Sequence, residues 1–88
     1  MPDYVIERHF GKIKFADLDD PAWVAERQKA FEAFPEIEWL HSHIIETDDE
    51  LLTYCIYRAP NAQCIRDHAA AARVPADRVM ECRHVEPD

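Results

Sequence analysis

Apolar and polar residues alternate over residues 38–58 in two runs. The first reads Glu-Trp-Leu-His-Ser-His-Ile-Ile and the second Leu-Leu-Thr-Tyr-Cys-Ile-Tyr-Arg, with an acidic break at 46–50 between them. Side chains of a strand point alternately to its two faces, so this pattern predicts an antiparallel hairpin. Leu40, Ser42 and Ile44 then share one face of the first strand, with Trp39, His41, His43 and Ile45 on the other. Pairing Ile45 with Leu51 sets His43 opposite Thr53 and His41 opposite Cys55. One face of the hairpin is mostly apolar; the other gathers two imidazoles and a thiol.

The same alternation predicts a first strand over 4–10, with Tyr4, Ile6, Arg8 and Phe10 opposed to Val5, Glu7 and His9, ending at Gly11. A loop to Leu18 follows. Asp19-Asp20-Pro21 is a helix start, an Asx cap followed by a proline whose missing N–H costs nothing in the first turn. Trp23, Ala30, Phe31 and Phe34 recur at near-helical spacing with Arg27 among them, and Pro35 ends that helix. Pro60 breaks the hairpin's second strand and Asn61 caps an alanine-rich helix over 62–73, whose buried stripe is Ile65, Ala69 and Ala72. Pro75 closes it. A last strand is expected over 78–85.

The order β-α-β-β-α-β over 1–88 predicts a single α+β domain. It is a ferredoxin-like sandwich with two helices on one face of a four-stranded antiparallel sheet and the first and third strands central. Assigning faces by apolar content puts Ile6, Leu40, Ile44, Leu52, Tyr54, Ile56, Met80 and Cys82 under the helices. The odd-numbered face then carries Glu7, His9, Trp39, His41, His43, Cys55, Tyr57, Glu81 and Arg83. A single helix layer leaves that face uncovered, and two such faces packed together make a dimeric α/β barrel with a partly polar interior.

Composition narrows the partners. The 88 residues are 48% hydrophobic with a net charge of -8. A chain this short buries roughly 60–65% of its unfolded surface, so pairing of sheets adds useful burial. No Lys/Arg stripe exists, which argues against nucleic acid. No apolar run nears the roughly 20 residues of a membrane span, and no secretory leader is read at the start. Cys55, Cys64 and Cys82 are odd in number and include no CxxC pair, which points to reduced thiols in the cytoplasm and away from a zinc ribbon.

Several short motifs occur together: Tyr4-Val-Ile-Glu-Arg, Trp39-Leu-His-Ser, Tyr54-Cys-Ile-Tyr-Arg-Ala-Pro, Ala62-Gln-Cys-Ile-Arg-Asp-His-Ala, Val74-Pro-Ala-Asp-Arg-Val and Val85-Glu-Pro. In this order they resemble the small bacterial nickel-responsive or nickel-binding proteins with a ferredoxin-like fold. The resemblance runs from Tyr4 to Pro87 and is weakest in the first helix. It implies a dimeric ferredoxin-like protein that binds nickel; it carries no ligand set.

Chemistry alone supplies the candidates. Divalent nickel favours imidazole with carboxylate or thiolate donors. His41 and His43 are two apart on one strand, Cys55 is expected beside His41, Glu7 approaches from the first strand, and Glu81 on the last strand could complete the row. Each has a plainer role: dimer packing for the histidines and cysteine, an ion pair with Arg83 for Glu7. Cys64 and His68, four apart on the second helix, could also chelate, but read as a small buried residue and a surface residue. His9 and His84, near strand ends, read as solvated. Three functions follow: a buffer, carrier or responder for nickel or a similar divalent metal; a small cofactor-independent enzyme of monooxygenase or isomerase type; or a small-ligand sensor. The last two would use the barrel cavity, and no phosphate loop or serine nucleophile motif is present.

Overall fold

The computed structural model describes residues 1–88 and has the expected order of elements. These are β1 (Asp3–Gly11), a short 3₁₀ turn (Phe15–Asp19), α1 (Pro21–Ala33), β2 (Glu38–Glu46), β3 (Leu51–Arg58), α2 (Ala62–Ala72) and β4 (Arg78–Cys82). The four strands form one antiparallel sheet in the order β2-β3-β1-β4, a ferredoxin-like α+β arrangement. The 3₁₀ turn replaces part of the expected loop, and β4 stops three residues short of Val85.

The helix boundaries follow from local chemistry. Asp20 accepts a hydrogen bond from Trp23 N at 3.1 Å, with Pro21 in the first turn of α1. Asn61 accepts from Cys64 N at 2.8 Å and starts α2; Arg73, in the left-handed region with φ 58°, ends it. Gly11, with φ 83°, terminates β1 just after a register shift at His9, in a conformation that L side chains rarely adopt.

The face assignment differs from the sequence reading. Leu51, Thr53, Cys55 and Tyr57 of β3 are buried beneath the helices, while Leu52, Tyr54 and Ile56 lie half-buried on the open face. The cause is the hairpin turn. Thr47 N donates to Glu50 O at 3.0 Å, and Thr47 Oγ1 accepts from the amides of Asp49 and Glu50. That closes a four-residue loop and pairs Glu46 with Leu51, so Ile45 faces Leu52 rather than Leu51. A slip of one residue exchanges the two faces of a strand. A bulge between Trp39 and His41 then restores Trp39 opposite Tyr57.

β1 and β4 follow suit: Tyr4 pairs with both Tyr57 and Glu81, Val5 with both Ile56 and Met80, and Asp3 with Cys82. The helix-covered face therefore holds Tyr4, Ile6 and Arg8 with odd-numbered residues of β3 and β4. Met80 and Cys82 lie on the open face, not under the helices. Tyr4, Ile6, Ile37, Cys55, Tyr57, Ala59 and Ile65 make the core. Burying Ile6 and Ile65 completely stabilises the fold by about 1.5–3 kcal/mol each. β2 is the exception: as an edge strand, all of it but Ser42 is exposed. No helix is long and apolar enough to cross a membrane.

Candidate metal centre and the open sheet face

Hydrogen-bonded neighbours on adjacent strands share a face. Reading across the open face, one row runs Glu38, Arg58, Asp3, Cys82; the next His41, Ile56, Val5, Met80; the next His43, Tyr54, Glu7, Arg78. His41 and His43 stand side by side at the edge, their ring centroids 5.2 Å apart and their planes nearly perpendicular. Both are exposed.

Glu7 shares that face but lies two strands away, about 9–10 Å across the sheet. It is also engaged: His9 Nε2 lies 2.9 Å from its Oε2, and His9 Nδ1 lies 3.4 Å from Glu50 Oε2. The His9 hydrogen bond, with help from Tyr54, holds the Glu7 carboxyl below its usual range, and the same contact raises His9. Glu7 thus pairs with His9 and not with Arg83, and His9 is tied down rather than free in solvent.

Two other candidates sit elsewhere. Cys55 faces Ser42, not His41; it is buried under the helices, with Sγ 3.7 Å from Thr53 Oγ1. Glu81 pairs with Tyr4 and shares the helix-covered side, at its rim. The backbone of the sheet separates both from the histidine pair. The structure contains no group of three or more His, Cys, Asp or Glu side chains placed to hold a metal ion.

The α2 pair is also rearranged. Cys64, half-buried, donates its S–H to Glu36 Oε1 at 3.1 Å; burial and that carboxylate push its thiol up to about 11, so it stays protonated. His68 is not on the surface: it is 1% exposed, among Phe31, Phe34 and Tyr57. Its spacing from Ile65 and Ala72, three and four residues away, is the sequence signal for burial. Arg8 is a second polar residue that the structure buries. Its place between Ile6 and Phe10 on a core-facing strand marks a charge carried into the interior, where it is 2% exposed.

Comparison with known proteins adds one match. A family model described as "Nickel responsive protein SCO4226-like" matches residues 4–82. Among curated proteins, none matches the chain at a significant level. With nearly the whole domain matched, the chain belongs to the SCO4226-like family of nickel responsive proteins.

Proposed function

We propose that this protein binds a divalent transition metal, nickel first, on the open face of its sheet through His41 and His43, within a dimer whose open faces meet. The adjacent imidazole pair carries this reading. Imidazole suits nickel, and a metal with bonds of about 2.0–2.1 Å fits between two rings at the observed 5.2 Å spacing. Two imidazoles leave coordination positions over. Water fills them, or the same pair from a second copy does.

The half-buried apolar residues favour the second source. Val5, Leu52, Tyr54, Ile56 and Met80 form the middle of a face that no helix covers. Apolar surface of that kind marks an interface. Glu7, held by His9, contributes negative charge near the ion rather than a bond. A metal carrier, buffer or responder needs no further machinery, and the family's nickel responsiveness agrees with that role.

The test is a nickel titration of untagged protein. His41→Ala and His43→Ala should each weaken binding about tenfold or more, while Cys55→Ser, on the opposite side of the sheet, should leave it unchanged. Imidazole ligates only when neutral, so affinity should fall below about pH 6. Wild-type affinity in both histidine variants sinks the reading, and an anomalous map at the nickel edge with density away from this pair does the same.

A further inference from the structure

The other side of the sheet holds a chamber of about 370 Å³ between the helices and the inner face of β2 and β3. That is within the size range of small-molecule sites. Its composition is opposite to that of the molecule. The whole chain has a net charge of -8, yet the chamber is lined by Arg8, Arg27 and His68 and by no acidic residue.

Arg27 donates to Leu18 O, but three other buried nitrogens of the lining have no partner. Arg8 Nη1 donates to Pro75 O at 2.6 Å, but Nη2 is buried with no partner, and Arg8 forms no ion pair. Both ring nitrogens of the buried His68 are likewise without partners. Each such orphan costs about 1–3 kcal/mol, and a buried charge with no counter-ion costs more. Both groups neighbour one ring: the Tyr57 ring has the Arg8 guanidinium carbon 5.5 Å and the His68 ring 5.8 Å from its centroid.

We propose that this chamber binds a small organic monocarboxylate with an aromatic or aliphatic body. Its carboxylate accepts from Arg8 Nη2 and from a ring N–H of His68, and its body lies against Phe31, Trp39 and Ile44. One free guanidinium nitrogen and one imidazole provide few donors, which suits a single carboxylate better than a phosphate dianion. The apolar walls give little to an inorganic ion. Entry is at β2, whose inner face the helices cover only in part: Trp39 is 57% exposed although it stacks on Phe31 of α1 at 6.1 Å, and Ile44 is 41% exposed. The site is on the reverse of the sheet from the histidine pair and stands independently of the metal reading.

Calorimetric titration of the full chain with phenylacetate and with hexanoate tests the site. We expect saturable binding at one molecule per chain, with Kd below about 1 mM. Phenylacetamide, with the same ring but no charge, should bind at least about tenfold more weakly, and so should inorganic phosphate. The His68 ring nitrogen resonances should shift with phenylacetate. Arg8→Gln should abolish binding. Because Arg8 is buried, Ile44→Trp serves as a second variant: it narrows the exposed mouth, should weaken phenylacetate about tenfold, and should leave the melting temperature in place. Absence of saturable binding for both acids at about 10 mM overturns the proposal. Equal affinity for the amide or for phosphate overturns it, as does undiminished binding by a folded Ile44→Trp protein.

Discussion

At the scale of single residues, His68 dominates. Burial, then the positive charge of Arg8, lowers its pKa from 6.5 to about 4. The unfolded chain takes up a proton on this imidazole below about pH 6.5, and the folded chain resists until about pH 4. Stability contributed by the neutral ring is thus complete above pH 6.5 and is lost progressively down to pH 4. Two groups on the open face act alongside. His9, raised by Glu7, adds stability that is present below its ordinary value and fades as pH rises through its folded value. Glu7, lowered by His9, adds stability above its ordinary value that fades as pH falls through its folded value. Both are solvent-facing, so their effect is small. Urea denaturation should therefore show lower stability at pH 5 than at pH 7.5, and His68→Leu should flatten that difference. An unchanged slope in His68→Leu would mean that other groups set the acid limb.

At the scale of elements, two short side chains set α1 and α2, and a third sets the hairpin. Asn61 and Asp20 satisfy amides that the helices cannot satisfy themselves. Asn61→Ala should cost about 1 kcal/mol, and Asp20→Ala a similar amount. For a domain of this size that lowers the melting temperature by about 4–8 °C, readable by circular dichroism. A melting temperature equal to wild type in both variants would mean that tertiary packing alone holds the helix starts. Thr47 matters differently. Its hydroxyl fixes the length of the turn, and turn length fixes which side chains of β3 meet the helices. The bulge at Trp39 then lets one strand present Trp39 to the helix side and His41 to the open side.

At the scale of the whole molecule, the sheet has two chemically distinct sides. One is packed against helices and contains the cationic chamber; the other is uncovered, apolar in its middle, and bears the histidine pair. We expect light scattering with size-exclusion chromatography to give twice the chain mass at micromolar concentration. Ile56→Glu, in the centre of the open face, should give the single-chain mass with an unchanged far-ultraviolet spectrum. A wild-type monomer would remove the paired-face arrangement, and with it the second copy's contribution to the metal.

Element order, both helix caps and the placement of His41, His43 and Glu7 on one uncovered face were legible from the chain itself. Local propensity, proline and Asx signals, and strand alternation act over a few residues and do not depend on distant partners. The faces of β3 and β4 were not legible. Both sides of β3 are apolar: Leu51, Cys55 and Tyr57 oppose Leu52, Tyr54 and Ile56. Counting hydrophobic residues therefore could not choose between them. Only hydrogen bonding in the Thr47 turn and pairing with β1 decided that Cys55 goes under the helices. The same tertiary choice brought Arg8 and His68, sixty positions apart in sequence, to the same ring of Tyr57. Alternation defines two faces for each strand; which of them meets the helices is fixed by register, and register is a property of pairs of strands.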